Sequence, residues 1–302
     1  MLNIKVLDTF AIPITKYDIL RSLGKVDVYA DVVNDKKIIL QRAKDADIVV
    51  VNKTPLTADI INAFEHVKLI VETASGFDNI DIKAAAANNI VVCTAPGYST
   101  TSVAEQVFAL ILSLSRKIKL CIQQVAQAKW LAEPLIGTEL AGKTIGIVGF
   151  GTIGKQVANI AQGFGMNIIA YTRNMDLSKL MQQADIVSLH LPHNKETDKI
   201  INESMLKLMR PGSMLINTAR GGIIDEKALI KIAKQNKIYI GLDVLTIEPI
   251  EPNHELNNLS NVLLTPHVGW YTDEAIDRLM QITYNNIDGF YQNKPINVVN
   301  MF

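Results

Sequence analysis

Cysteine is nearly absent from this 302-residue chain, which carries only Cys93 and Cys121. Two cysteines exclude a disulfide scaffold and any cysteine-based zinc cluster. Net charge is absent as well, 30 Lys+Arg standing against 30 Asp+Glu. Nucleic acid and anionic membrane surfaces both select a basic footprint, so neither is expected as a partner. No apolar run approaches the ~20 residues that cross a bilayer. The opening Met1-Leu2-Asn3-Ile4-Lys5-Val6-Leu7-Asp8 lacks the basic-then-apolar shape of a signal peptide. Tandem repeats and low-complexity tracts are missing too. A hydrophobic share of 48% with balanced charge argues against disorder. What remains is a protein expected in the cytoplasm, with a length that favours two domains.

Short β-branched runs alternate with helix-like segments. In the first third, strands are predicted at Ile4–Leu7, Val26–Tyr29, Ile48–Val51, Leu69–Val71 and Ile90–Cys93. Helical periodicity lies between them, at Tyr17–Leu23, Ile38–Lys44, Ala58–Phe64 and Ile82–Asn88. From Thr144 the pattern resumes, with strands near Ile145–Val148, Ile168–Tyr171, Ile186–Leu189, Met214–Asn217, Tyr239–Leu242 and Val262–Leu264. Such alternation implies right-handed βαβ units and buried parallel sheets, here in two α/β lobes. The turn-rich Thr94-Ala95-Pro96-Gly97-Tyr98-Ser99 separates them. Two long helical patterns follow: the apolar Ser102–Ser115, expected between the lobes, and Glu274–Tyr291.

The sharpest local signal is Gly149-Phe150-Gly151-Thr152-Ile153-Gly154, directly after a β-branched strand and opening a helix. Gly149 permits the tight turn and Gly151 lets backbone approach a pyrophosphate. Gly154 allows close packing, so that the helix N-terminus presents its N–H groups to the anion. Dinucleotide binding is the reading this context favours. A carboxylate for the ribose 2′-hydroxyl is expected at the end of the second strand of the lobe. That place holds Thr172-Arg173-Asn174 instead. A hydroxyl and a guanidinium suit a 2′-phosphate, so the cofactor is expected to be NADP or NAD, with NADPH favoured. The competing reading leaves Arg173 solvated and gives the ribose to Asp176.

Three loops after strands of the second lobe carry polar groups: Asn217-Thr218-Ala219-Arg220-Gly221-Gly222, Asp243 to Glu248-Pro249, and Thr265-Pro266-His267-Val268-Gly269-Trp270. Ligands of open α/β sheets bind beyond the carboxyl ends of strands. One guanidinium, one carboxylate and one imidazole there suit hydride transfer to a keto acid. Arg220 answers the substrate carboxylate and the developing alkoxide. His267, of the residue type that titrates nearest neutrality, gives the carbonyl oxygen its proton. A carboxylate beside an imidazole orients it and favours its charged form, the part assigned to Glu248. His190 and His193 flank Leu191-Pro192 without a metal-ligand pattern, and no metal is expected. His66 and His254 read as surface loop residues.

Together with Ser75-Gly76-Phe77-Asp78-Asn79-Ile80-Asp81 and Ser102-Val103-Ala104-Glu105, these segments resemble the D-isomer-specific 2-hydroxyacid dehydrogenase family, in order from about Asn52 to Asn300. The resemblance implies a Rossmann domain, residues 99–272, inserted in a flavodoxin-like substrate domain made of residues 1–98 and 273–302. It implies that backbone around Ala74, Ser75 and Gly76 receives the substrate carboxylate, as suits a turn that exposes N–H groups. Asp243 matches a position near the nicotinamide and Ile153 one whose backbone meets the pyrophosphate. Val103 matches a position on the helix flanking the nicotinamide, and Thr152, Thr218 and Ala219 fall within the cofactor-binding segments. Arg220, His267 and Glu248 match the substrate-orienting residue, the acid/base and its partner. Thr172-Arg173 departs from the family's usual aspartate and is similar to its NADPH-using members.

Within that family, Asn52-Lys53-Thr54 and Trp270-Tyr271 look most like glyoxylate and hydroxypyruvate reductases. Lys53 is a candidate for charge near the substrate carboxylate, and Trp270 for a cap on its pocket. The resemblance also favours a homodimer, and no added ligand-sensing domain is expected. Two other readings stay open. One is a relative using formate or phosphite as donor, and the other is a cofactor-sensing co-repressor or scaffold without turnover. The intact Arg220, Glu248 and His267 disfavour the second.

Overall fold

Runs of Val, Ile and Leu too apolar to leave either face in water become the central strands. The computed structural model describes residues 1–133, 135–172 and 175–300. In it the chain divides into two units, one of Met1–Ser99 with Thr272–Phe302, the other of Thr100–Tyr271. The first unit holds β1 (Leu2–Val6), β2 (Gly24–Val28), β3 (Ile48–Val51), β4 (Leu69–Glu72) and β5 (Val91–Cys93). They pair in parallel in the order β2-β1-β3-β4-β5, the flavodoxin-like arrangement. Every residue of β3 and β4 is buried, as expected for strands covered on both faces.

Helices α1 (Lys36–Arg42), α2 (Ala58–Ile61) and α3 (Ile82–Ala87) connect the strands. Asp35 and Asp81 cap the first and third with their side chains. The periodicity at Tyr17–Leu23 resolves as a 3-10 helix, Ile14–Ser22, whose buried Tyr17 and Leu20 stand three residues apart and so share a face. The helix expected to reach Phe64 ends at Ile61. Ala63 and Phe64 instead make tight bonds to Ile60 and Ile61 carbonyls, the usual way a helix closes its last turn.

The second unit opens with α4 (Thr100–Ser115) and α5 (Ile118–Ala126). A six-stranded parallel sheet follows: β6 (Thr144–Val148), β7 (Asn167–Tyr171), β8 (Ile186–Leu189), β9 (Met214–Asn217), β10 (Tyr239–Leu242) and β11 (Val262–Leu264). Their order is β11-β10-β9-β8-β6-β7. The chain runs outward from β6 on one side and returns to β8 on the other, so the switch point lies at the carboxyl ends of β6 and β8. Interleaved are α6 (Thr152–Gly163), α7 (Leu177–Gln183), α8 (Glu203–Lys207) and α9 (Glu226–Ala233). On one face Ala104, Val107, Leu110 and Ile111 of α4 pack with Ile145, Ile147, Val157 and Ile216. On the other, Leu180, Val187, Leu215, Leu229 and Ile240 form the core.

The chain then returns to the first unit as α10 (Asp273–Tyr291), capped by the Thr272 side chain and burying Ile276, Leu279, Met280 and Ile287. Beyond it, Val299 N–H bonds Val92 O, and Asn300 pairs with both Val92 N–H and Ile90 O. That segment covers the open edge of β5, which otherwise would present unpaired backbone. Among the described residues, no helix is long and apolar enough to cross a membrane.

The close approach at Gly154 is testable. A Cβ there would stand 2.2 Å from Gly149 O and 3.1 Å from Ile147 Cγ2. Backbone cannot yield as a side-chain tip can, so Gly154→Ala is expected to cost about 1–3 kcal/mol. Thermal melts would show it as a lower Tm; an unchanged Tm would mean that α6 seats itself without this contact.

Candidate active site

In the second unit, β6 leads into the glycine turn. Gly149 has φ +101, a conformation that disfavours any side chain, and a Cβ on it would lie 2.7 Å from His190 O. Gly151 is the N-cap of α6 and brings no side-chain cap; a Cβ there would meet nothing within 4 Å. Among the described residues, no side chain caps the start of this 12-residue helix, the arrangement that receives a phosphate. Thr152 and Ile153 form its first turn, and Val103 is buried on α4. His190 lies half-buried against the turn, with Nε2 2.9 Å from Ser188 Oγ, and desolvation pushes its pKa down to about 4. It is therefore neutral near pH 7 and contributes no charge.

Thr172 follows β7, its carbonyl accepting from Met175 N–H. Arg173 lies outside the described residues. Asp176 is occupied as the N-cap of α7: its carboxylate accepts from the N–H and hydroxyl of Ser178, which holds its pKa below the usual aspartate range.

Past β9, buried Asn217 shapes the loop that carries Arg220. Its side chain accepts from Ala219 N–H and donates to Arg220 O, while Arg220 Nη1 donates to Ala219 O. Thr218 Oγ1 is buried with no partner among the described residues. An orphaned hydroxyl beyond a strand end is costly without a ligand or water to bond. This orphan and the bare helix start at Gly151 both fit a bound dinucleotide. A Cβ at Gly221 would stand 2.0 Å from Leu245 C, so the Arg220 loop and the Glu248 loop touch backbone to backbone.

Asp243, at the end of β10, organises the last loop. Its carboxylate accepts from Thr265 Oγ1 at 2.5 Å, Val268 N–H at 3.0 Å and Gly269 N–H at 2.8 Å. Its backbone carbonyl takes His267 N–H at 2.8 Å, and Gln106 on α4 donates to Thr265 Oγ1. Burial pushes the Asp243 carboxyl above its usual range, against the pull of those donors. These bonds hold His267 at φ +55, left-handed backbone that a non-glycine residue adopts only when its surroundings enforce it. There His267 Nδ1 meets Glu248 Oε2 at 2.7 Å, and Glu248 Oε1 accepts from Leu245 N–H. Trp270 stands edge-on to Tyr271, ring centres 5.1 Å apart.

In the first unit, the loop after β4 carries Ala74, Ser75 and Gly76. Ala74 O accepts from Ala95 N–H and Ser75 Oγ donates to Ala95 O, which fixes the turn. No described acceptor lies within hydrogen-bonding reach of the Ser75 and Gly76 N–H groups. The neighbouring Asn52–Thr54 loop is wrapped around the buried Asp8 carboxylate, which accepts from three consecutive N–H groups. The Lys53 ammonium lies 5.3 Å from the centre of the Phe10 ring. Asn79 Nδ2 reaches Asn52 O, Thr54 O and Glu72 Oε2.

Several of these residues carry no sequence signal of their own. Asp8, Glu72 and Gln106 sit among apolar or loop residues and acquire partners only through tertiary contacts. His254 departs from the surface reading: it is half-buried, accepts Leu256 N–H on Nδ1 and faces Glu226 at 3.2 Å.

Comparison with known proteins finds relatives over most of the chain. The family described as "D-isomer specific 2-hydroxyacid dehydrogenase, NAD binding domain" matches residues 108–269. A hydroxypyruvate reductase of Blautia hydrogenotrophica is 33% identical over 303 residues, covering 93% of this chain and 94% of its own. One from Thermotoga maritima is 40% identical over 259 residues, 81% of this chain and 85% of that protein. Among solved structures, an acyclic imino acid reductase in complex with NADPH and D-Arg superposes with a TM-score of 0.91. It is 34% identical, covering 99% of this chain and 100% of its own.

Glu72 offers a pH test. Burial raises its carboxyl well above the usual range, only partly opposed by the Asn79 hydrogen bond, and Oε1 has no partner among the described residues. A carboxyl raised on folding stabilises the fold fully below its unfolded pKa, and that stability is lost as pH rises through the folded value. Glu72→Gln removes the ionisation, so thermal melts should show the variant overtaking the wild type on the alkaline side. Parallel curves from acid to alkaline pH would contradict a protonated Glu72.

Proposed function

The chain belongs to the D-isomer specific 2-hydroxyacid dehydrogenase family, an oxidoreductase family, and on that basis we propose that it reduces small 2-keto acids to D-2-hydroxy acids. The observation that carries this reading is the His267–Glu248 pair at 2.7 Å, on a loop locked by Asp243 and beyond a strand of the dinucleotide-binding sheet. Its substrates are of the hydroxypyruvate, glyoxylate and pyruvate type. Two hydroxypyruvate reductases among the relatives support that class.

A nicotinamide dinucleotide supplies the hydride when bound. The turn Gly149–Gly154 holds its pyrophosphate through the first N–H groups of α6, at Thr152 and Ile153. Asp243 and Val103 would lie near its nicotinamide, and Thr218 and Ala219 would contribute to holding the cofactor. NADPH is the preferred form, since Thr172 closes β7 without a carboxylate and Asp176 is engaged as a helix cap. Arg173 is the proposed cation for the 2′-phosphate.

The chain's own groups then divide the work. Arg220, its loop braced by Asn217 and Ala219, orients the substrate carboxylate and stabilises negative charge developing on the carbonyl oxygen. His267 points Nδ1 at Glu248, which leaves Nε2 to hand its proton to that oxygen. Glu248 holds the imidazole and balances its charge. The Ser75 and Gly76 N–H groups receive the substrate carboxylate, with Lys53 adding positive charge, and Trp270 caps the alkyl end of the substrate.

The working form is proposed to be a cytoplasmic homodimer. Both cysteines are free thiols, as a reducing compartment requires. α5 buries none of its residues, and Ile122, Val125 and, beyond it, Trp130 and Ile136 are exposed apolar side chains that a second copy would cover. A second chemistry is supported by the imino acid reductase: a C=N bond in place of C=O, reduced by the same groups.

These roles separate experimentally. A panel of hydroxypyruvate, glyoxylate, pyruvate and longer keto acids, with and without an amine, should show turnover with short keto acids and a lower KM for NADPH than for NADH. Turnover only with the amine present would favour the imine. Cofactor binding without turnover on any substrate would favour a sensor. His267→Ala should lower kcat by about 10²–10⁴-fold with cofactor Kd nearly unchanged. Arg220→Ala should damage both KM and kcat, by about 10²-fold or more in kcat/KM; normal kinetics in either variant would remove that residue from the site.

A further inference from the structure

Glu248 sits on an exposed loop. Thr246, Ile247, Glu248 and Pro249 are all exposed, and Ile247 keeps 68% of its surface in water. Burial therefore does little to fix the carboxylate that must meet His267. Polar ties do so, and one residue outside the three loops makes two of them. Glu226, the first residue of α9, splits its carboxylate: Oε2 accepts from Thr246 N–H at 3.0 Å, and Oε1 faces His254 Nε2 at 3.2 Å. One carboxylate thus pins the loop at both ends, two residues before Glu248 and six residues after it.

The His254 ring is itself committed. Its Nδ1 accepts from Leu256 N–H at 3.3 Å, at the start of the 3-10 turn Glu255–Asn258. A backbone N–H can only donate, so Nδ1 must carry the lone pair and the neutral ring keeps its proton on Nε2, directed at Glu226. The adjacent Leu245 N–H bonds Glu248 Oε1, while Glu248 Oε2 meets His267 Nδ1. Two successive N–H groups, of Leu245 and Thr246, are therefore held by two carboxylates, one structural and one facing the imidazole. Glu226 and His254 are both largely withdrawn from solvent, with side chains 23% and 17% exposed, so water competes weakly for these bonds.

We propose that Glu226 and His254 form a positioning pair that sets the Glu248 carboxylate against His267. The proposal rests on reading His267 as the proton donor. Neither residue touches substrate or cofactor; their effect passes through the loop. Displacing a proton donor by about 1 Å can cost a reaction 10²-fold, and a loop released at one anchor loses part of that precision.

The test is a kinetic cycle. Glu226→Ala should lower kcat about 10-fold while KM for hydroxypyruvate and for NADPH stays within about twofold, a split that general loosening would not give. Glu226→Gln keeps an oxygen for Thr246 N–H but turns an amide donor towards the His254 Nε2 proton, so it should fall between wild type and Glu226→Ala. His254→Ala should resemble Glu226→Gln, and the double variant should be no worse than Glu226→Ala. In a His267→Ala background, adding Glu226→Ala should change the residual single-turnover rate by less than about twofold, because the group it positions is gone. An equal loss in both backgrounds would overturn the proposal, as would wild-type kcat in Glu226→Ala. The outcomes separate the two readings: full activity in His267→Ala sinks both, whereas its collapse with normal Glu226→Ala sinks the positioning pair alone.

Discussion

A buried carboxylate, Asp243, holds the loop on which the proposed chemistry of the second unit depends. Its oxygens take two successive backbone N–H groups and a threonine hydroxyl, and its own carbonyl takes the N–H of His267. Left-handed backbone at a histidine is unfavourable by itself, of order 1–3 kcal/mol, and persists only where such bonds over-determine it. That strain fixes a direction: the imidazole turns Nδ1 onto Glu248, which in the proposed reaction keeps Nε2 for the substrate. Backbone contact between Gly221 and Leu245 couples the Arg220 loop to the same assembly. The cation, the carboxylate and the imidazole are thus parts of one braced set of loops at the carboxyl ends of β9, β10 and β11.

Charge follows the same economy. The chain has equal numbers of acidic and basic residues, yet its proposed ligands are anions. On the proposed reading, positive potential comes locally from the start of α6 at Gly151, which no side chain caps, from N–H groups of Ser75 and Gly76, and from Arg220 held in a bonded turn. Such preorganised donors act without a global field. In the first unit the same principle works inward, where Asp8 gathers the N–H groups of Asn52, Lys53 and Thr54 and fixes their loop.

Much of this was legible in the residue order. Strands such as Ile48–Val51, Ile186–Leu189 and Met214–Asn217 are buried on both faces and read as nearly continuous apolar runs, so their positions emerge directly. The glycine spacing reveals the turn because Gly149 has a backbone conformation and Gly154 a packing distance that side chains resist. His267 and Glu248 were readable as partners because each follows a strand of one sheet. Short helices were harder: the turn around Tyr17 packs with threefold rather than 3.6-fold spacing. The other tertiary polar partners were not legible. His254, Glu226, Glu72 and Gln106 look like ordinary loop or helix residues until the fold brings a backbone N–H or a carboxyl to them. Hydrogen bonds such as Glu226 to Thr246, 20 positions apart, or Gln106 to Thr265, 159 apart, leave no period in a sequence.

If Asp243 is the constraint on which the rest depends, weakening it must reach the chemistry without unfolding the chain. Asp243→Asn keeps one acceptor but turns an amide donor towards either the Gly269 or the Val268 N–H, which bond different oxygens, a mismatch of about 1–3 kcal/mol. Stopped-flow reduction of hydroxypyruvate with saturating NADPH gives the reading most directly. The expected result is a drop of at least about 10-fold in the single-turnover rate, with the folded state intact by near-UV circular dichroism. An unchanged rate in a folded Asp243→Asn protein would contradict the account.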